Sequence, residues 1–432
     1  MPELVPAVGG TRMVSAPDPI ARDYLLLVLR LDQHRPGLVD GYYGPADLKA
    51  KADMESLRPP PRLAEDAAAL RARLADEIDD PGRRAYLAAQ LVALETQARE
   101  AAGDEIPYED LVERLFDHRM PRVPEAVFAA AAAELDELLP GREPLDARIA
   151  AWDAQLTIAE DRVPVAAAHL MSLFRARAAR LFHLPEGEGA RLSMVRDRPW
   201  GGYNWYEGGR RSRIELNLDL PVTAGALAHT VAHEAYPGHH LEGATKEEQL
   251  VDGEGRAEMT LLSINTPECL LGEGLADLGF RFALPPADAA ATLEELFRVA
   301  GLAVADDPAA ARAAAEMEVR IRRARLALRG VSGNAAVLRH SVGASREEVV
   351  DYVVSVGRST VQQAEKRFEF IDDPLWRAYI FVYREGEALL ERWIELDGPA
   401  GREARFARLL REAIAPSVIA AEIAAAGEPG PD

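Results

Sequence analysis

Four of the nine histidines in this chain fall between His229 and His240, and the stretch Ala232-His233-Glu234-Ala235-Tyr236-Pro237-Gly238-His239-His240 is interrupted by a Pro-Gly pair. No other feature constrains the local fold as tightly. A proline inside a helix has no N–H to donate, and its ring collides with the carbonyl four residues back, here that of His233. The helix must bend or stop before the next histidine. A His followed at once by Glu, with further His a turn or two later, is a pattern in which imidazoles hold zinc while the carboxylate moves a proton. The usual spacing places the second His four residues after the first, and Pro237 occupies that place. On an unbroken helix His233 and His240 would stand roughly 10 Å apart along the axis, whereas two nitrogens on one zinc lie within roughly 4 Å of each other. An irregular turn that absorbs two residues brings in His239, and one that absorbs three brings in His240. His239 is the preferred partner of His233, with His240 left open. His229, one turn before His233, is either a ligand itself or a residue packed beside a charged site.

Hydrolytic zinc sites commonly take two histidines and one carboxylate and keep a position for water. Glu273 is the best third ligand: Leu270, Leu271, Leu275 and the flanking glycines imply a buried helix, where a carboxylate needs a partner. Asp277, one turn on, faces the same way and would orient a ligand histidine through its second ring nitrogen. His240, where it is not a ligand, is expected to do the same from the surrounding shell. The single cysteine, Cys269, excludes a disulfide within the chain and a thiolate zinc cluster.

At 432 residues and 48% hydrophobic, the sequence can bury a sizeable core, and 71 acidic against 50 basic residues argue against nucleic acid or an anionic membrane as main partner. No segment reaches the roughly 18 uninterrupted apolar residues of a membrane span, so the chain reads as soluble and cytoplasmic. Nothing in it specifies an oligomeric state. The pattern predicts a mainly α fold. Residues 1–16 read as an irregular lead-in, Asp18-Pro19 opens a helix, Gly41 to Pro45 reads as a turn, and amphipathic helices follow from Arg62 to Phe182. A small sheet is expected where Leu192 and Met194 alternate and again over Arg213–Leu218, with Trp200–Gly209 as a loop or hairpin between them. The second of these strands, just ahead of the histidines, is read as an edge to which an extended substrate could add. Helices resume to the end, with one long helix over Ala300–Leu328. The basic run Arg320, Arg322, Arg323, Arg325 and Arg329 reads as a salt-bridged or solvated face. The organisation expected is an N-terminal helical region, 1–185, and a metal-binding region, 186–432, in one continuous helical body.

The string His-Glu-x-x-Pro-Gly-His-His, followed by Glu273-Gly274-Leu275-Ala276, resembles the DUF885 family, bacterial proteins of unassigned function that look like distant relatives of the mostly helical gluzincin metallopeptidases. Asn217 resembles the family's Asn at the end of a strand, Tyr383-x-x-Gly386 its C-terminal Tyr-x-x-Gly, and His340 its His before a Gly-x-Ser stretch. Leu275, Ala336 and Phe368 depart from the family pattern. The resemblance implies a large gluzincin-like helical body with a deep cleft and a small β-sheet beside the metal-binding helix. It also implies one zinc ion, with other divalent metals possible, on His233, His239 and Glu273, with Glu234 as general base and acid and Tyr383 polarising the scissile carbonyl. Arg367 and Arg384, beside these motifs, become carboxylate-binding candidates, and His340 and Asn217 substrate contacts. The function expected is a zinc-dependent hydrolase, a metallopeptidase cleaving amide bonds of short peptides or small amides. The alternatives are a metal-dependent hydrolase or lyase for a small metabolite, and a catalytically dead binding protein.

Overall fold

Prolines with an oxygen-bearing side chain just before them set several helix starts. Asp18 accepts the Ala21 N–H at 2.9 Å ahead of Pro19, and Asp80 accepts the Arg83 N–H ahead of Pro81. Proline's missing N–H costs nothing in a first turn, where no intrahelical partner exists. The computed structural model describes residues 16–198 and 200–427, so the expected lead-in lies, apart from Ala16, outside the described residues. Helix accounts for 68% of the structure and strands form only two small sheets, which makes the fold mainly α. The long helix expected over Ala300–Leu328 is two. Gly301 ends Ala289–Ala300 in the left-handed region at φ 71°, and Asp307 caps a new start at Pro308–Leu328.

Two apolar cores result. One joins the helices Pro19–Asp32, Pro60–Glu77 and Pro81–Ala101 to Leu250, Val251, Ala257, Met259 and Leu261. The other collects the helices after Tyr108, among them those that carry the histidines and Glu273. Each core draws on residues from both sides of position 185.

Strand β1 (Val39–Tyr42), in the region read as a turn, pairs antiparallel with β5 (Leu261–Ser263). The larger sheet has β2 (Gly189–Val195), β3 (Gly202–Gly208) and β4 (Arg211–Asn217) in the order β2-β4-β3, with β2 parallel and β3 antiparallel to β4. The strand read as an edge is therefore the central one, paired on both sides, and cannot accept a further strand. The stretch expected as a loop or hairpin is itself the strand beside the histidines: Asn204 Nδ2 on β3 donates to the Glu234 carbonyl at 2.6 Å, satisfying a group that the helix end leaves bare.

Beneath that junction sits Glu188, at the foot of β2, with its side chain 1% exposed. Its Oε2 accepts the Tyr236 hydroxyl at 2.5 Å and lies 2.9 Å from His240 Nε2, while Oε1 takes Arg175. Burial pushes this carboxyl up, but hydrogen bonds from His240, Tyr236 and Arg175 outweigh it and hold the pKa at about 2. A depressed carboxyl stabilises the fold fully above its ordinary value of 4.5, and that contribution is lost as pH falls toward about 2. Glu188→Ala is accordingly expected to lower the unfolding free energy by about 3 kcal/mol at neutral pH. In urea titrations the gap to wild type should shrink on acidification; a gap independent of pH would show that the carboxylate charge contributes nothing.

Candidate metal centre

Thr223 caps the histidine helix, Ala224–Glu234, by accepting the Ala226 N–H, and the helix stops one residue past His233. The chain then passes through Ala235, the cis Tyr236–Pro237 bond and Gly238, whose N–H donates to the Ala232 carbonyl at 3.1 Å, before a second helix begins at His239 and runs to Lys246. Gly238 admits no side chain, since a Cβ there would run into the His233 carbonyl oxygen. The outcome is a reversal that sets the rings of His233 and His239 4.7 Å apart and perpendicular. Ligating atoms of His233, Glu234 and His239 all lie within 4.8 Å of one another. His240 faces the opposite way. It is fully buried against the sheet, its Nδ1 2.8 Å from Ser212 Oγ on β4 and its Nε2 on Glu188, so both ring nitrogens are committed to the brace under the turn.

Glu273 reaches the histidines from the helix Pro267–Ala283. Its Oε2 is 3.2 Å from His233 Nε2 and its Oε1 3.7 Å from His239 Nε2. Ligands about 2.1 Å from a tetrahedral zinc are separated by roughly 3.4 Å, so these spacings suit a shared ion. The approach is set by glycines. A Cβ at Gly274 would strike the backbone of Gly386 in the helix Val382–Ile394, and one at Gly386 would strike the Leu270 carbonyl. The two helices thus cross backbone on backbone, which carries Tyr383, one turn before Gly386, toward the centre. Burial raises the Tyr383 hydroxyl well above its ordinary value, and Glu273, Glu234 and Asp277 add to the shift, so all three carboxylates lie within electrostatic reach of it. That hydroxyl has no hydrogen-bond partner among the described residues.

Behind each histidine stands a carboxylate, and behind each carboxylate a cation. His233 Nδ1 is 3.2 Å from Asp277 Oδ1, and Asp277 is paired through its other oxygen with Arg329, which also reaches Glu387 at 3.3 Å. His239 Nδ1 is 3.8 Å from Glu242 Oε2, and Glu242 Oε1 is 2.7 Å from Lys246 Nζ. Carboxylates in these positions orient an imidazole and leave its Nε2 for a metal. His229 Nε2 sits 2.8 Å from the same Asp277 oxygen. The ligating atoms of His229, His233 and Asp277 also lie within 4.8 Å of one another, but Asp277 there is already engaged by Arg329. Burial, then the nearby Arg322, push the His229 imidazole down to about 4.

Glu273 Oε1 accepts the Tyr379 hydroxyl at 2.9 Å, while Oε2 is buried with no hydrogen bond at all. An orphaned carboxylate oxygen facing an imidazole nitrogen is costly in a dry interior, and a divalent ion is what would satisfy it. Two imidazoles and a carboxylate, with a second carboxylate adjacent, are a donor set that suits zinc. Burial opposes charge on His233, yet the Asp277 hydrogen bond and the facing Glu273 carboxylate raise it well above the ordinary 6.5; His239 is raised too, against burial, by Glu242 and Glu273. Burial lifts Glu234 above the usual carboxyl range despite the two imidazoles.

Other residues singled out in the sequence lie in other settings. Asn217 is spent on structure: its Nδ2 donates to the Arg198 and Trp200 carbonyls, each at 2.9 Å, and its Oδ1 accepts the Asp219 N–H, so it pins the loop between β2 and β3 and has no group left for substrate. His340 Nε2 is 2.8 Å from the Ile371 carbonyl and its ring packs on Tyr108 at 4.6 Å, a fastening between helices and not a group of the metal centre. Arg384 is paired with its neighbour Glu385 and packs across Gly330. Arg367 is half-buried with no ion-pair partner among the described residues, and burial lowers its pKa. Of the basic run, Arg323 and Arg325 pair with Glu134 and Asp153, whereas Arg329 reaches Asp277. Sequence reasoning missed Glu188, Glu242, Lys246 and Tyr379. Only Glu242, three residues past His239 and so on its face of the helix, left a positional signal.

Metal binding must displace the protons that the raised His233 and His239 hold in the ion-free protein. Zinc affinity is therefore expected to strengthen as pH rises through and above 6.5, with net proton release, measurable by calorimetry in buffers of different ionisation enthalpy. Affinity flat across that range would rule these imidazoles out as ligands.

No family model and no curated protein matches the sequence. Among solved structures, the chain is similar to a protein from Colwellia psychrerythraea classed provisionally as a lipoprotein, at a TM-score of 0.53 and 15% identity, covering 84% of this chain and 66% of that one. It is also similar to a second such protein, of unknown function, from Shewanella oneidensis (TM-score 0.45, 12% identity, 92% and 82% covered). A third is the M32 carboxypeptidase of Deinococcus radiodurans R1 (TM-score 0.38, 12% identity, 90% and 88% covered). The first likeness shows a shared fold, of which this chain spans just under two thirds of the partner's length; the other two are too distant to add to it. Among the described residues no helix is long and apolar enough to cross a membrane.

Proposed function

We propose that this chain is a zinc-dependent hydrolase of the DUF885 kind, acting on amide bonds of short peptides. One observation carries the reading: the Nε2 atoms of His233 and His239 face opposite oxygens of one carboxylate, Glu273, with Glu234 within ligand distance of both rings. His233, His239 and Glu273 would hold the ion, which when bound acidifies a water and draws charge onto a carbonyl oxygen.

This chain's own residues do the rest. Glu234 is buried, and its raised pKa brings its proton affinity nearer the working range of a general base at neutral pH. It takes the proton from the attacking water and returns it to the departing amine. Tyr383, with a hydroxyl that stays protonated and uncommitted, donates to the carbonyl oxygen as negative charge gathers there. Asp277 and Glu242 keep the two rings turned the right way.

Glu234→Gln should keep its zinc, by metal analysis, and lose roughly 10²- to 10⁴-fold in turnover of a peptide pool followed by mass spectrometry. Retained turnover would remove Glu234 from the chemistry. Tyr383→Phe should lower kcat by roughly 10²- to 10³-fold while leaving KM and zinc content close to wild type. An increase in KM alone would make Tyr383 a binding group only.

A further inference from the structure

Beside the metal centre stands a pair of side chains that the hydrolytic step does not use. Asp40 comes from β1 and Tyr203 from β3, and the Tyr203 hydroxyl donates a short hydrogen bond to Asp40 Oδ1. Tyr203 directly follows Gly202, where a Cβ would lie 3.4 Å from Glu234 Oε1, so this end of β3 abuts the general base. On its other side Asp40 is near enough to Glu273 and His239 to feel both charges, and its charge acts in turn on Tyr379, the donor to Glu273. The second carboxylate oxygen of Asp40 has no partner among the described residues, and the residue is only partly buried.

The charges around it decide what could occupy that oxygen. Of the cations that face the centre, Arg329 is held by Asp277 and Glu387, Lys246 by Glu242, and Arg322 is stacked on Phe280 at 4.1 Å. Glu234, Glu273 and Asp277 are all carboxylates. A substrate's terminal carboxylate would therefore meet like charge here, while an ammonium group would find an uncommitted acceptor. In a peptide the α-amino nitrogen is two bonds from the first amide carbonyl carbon. Its acceptor must stand close to the groups that act on that carbonyl, and Asp40 is within electrostatic reach of Glu273 and His239 and is held by Tyr203, the neighbour of the Gly202 that abuts Glu234.

We propose that Asp40, steadied by Tyr203, binds the free α-ammonium group of the substrate, so that the bond cleaved is the one next to the amino terminus. The inference rests on the hydrolase reading and deepens it by naming the substrate class: peptides or aminoacyl amides with an unblocked amine.

The probes are leucine hydroxamate, whose hydroxamate group grips zinc, and its N-acetyl derivative, titrated by calorimetry into the zinc-loaded full chain and into Asp40→Asn and Tyr203→Phe. Wild type should bind the free amine roughly 10- to 100-fold more tightly than the acetylated form, as expected for a hydrogen bond between charged groups. Asp40→Asn should lose most of that ratio, and Tyr203→Phe part of it. The ratio of kcat/KM for Leu-Gly over N-acetyl-Leu-Gly should fall in step. Equal affinity for the two probes in wild type overturns the role of Asp40 while leaving the metal centre standing. Loss of zinc in Asp40→Asn, by metal analysis, would make Asp40 part of the metal-holding set and not an amine acceptor, and also overturns it. Failure of both probes to bind the zinc-loaded protein overturns the hydrolase reading along with it.

Discussion

The turn between the two histidine helices is the constraint on which the rest of the centre depends, and it is held from below by one buried carboxylate. Pro237 and Gly238 end one helix and permit the next, but a reversal in the backbone does not by itself fix the angle between two rings. Glu188 accepts from Tyr236 on one side of Pro237-Gly238 and contacts His240 on the other, so the segment is gripped at both ends by a single oxygen. Ser212 anchors the second nitrogen of His240 to the middle strand of the sheet. The small sheet, which supplies no ligand, is thus the anvil against which the ligand geometry is set. Its contribution is mechanical, and it explains why a mainly helical chain keeps three strands at this point.

Two of the motifs on which the resemblance to the DUF885 family rests also have a mechanical account. Glu273-Gly274 and Tyr383-x-x-Gly386 lie far apart in the chain, yet each glycine is the place where the other helix's backbone passes. Close crossing at small residues lets side chains one turn away from the contact converge, which is how Glu273 and Tyr383 come to share a site. The spacing within each motif follows from the helix repeat.

What the sequence discloses of this arrangement, and what it hides, divides along physical lines. That the chain must turn between His233 and His239 follows from proline's missing donor and needs no tertiary information, and the apolar setting of Glu273 marks it as buried. That His239 and not His240 faces His233 depends on a turn absorbing two residues, not three, which local rules leave open. The strand Gly202–Gly208 is rich in glycine and aromatics and looks like a loop; its strand character comes from pairing with β4 and from Asn204 reaching the helix end. β1 and β5 are short and separated by more than half the chain, so nothing local announces that they pair. Glu188, Asp40 and Arg329 are ordinary charged residues among many, and only their distant partners give them a role. Asn217, by contrast, stands at a strand end as the family motif suggests, but its side chain is consumed in holding the loop.

Charge balance ties the metal, the raised imidazoles and the further acidic residue together. Within the shell around His233 and His239 four carboxylates, Glu234, Glu242, Glu273 and Asp277, face two committed cations, Lys246 and Arg329. Burying that surplus of negative charge is unfavourable unless something positive joins it. Without a metal, two imidazolium rings can supply it, which accounts for the raised His233 and His239 and for the lowered Glu273 against its own burial. A dication on the same rings supplies the same charge with the imidazoles neutral, so proton and metal exchange at nearly constant net charge, and the surrounding carboxylates need not move. In either state the shell is close to neutral, and Asp40 stands just outside it with one oxygen unanswered. A positively charged group arriving with the substrate would complete the balance, so the uncompensated Asp40 carboxylate argues for an amine-bearing ligand there and against one that enters by its carboxylate.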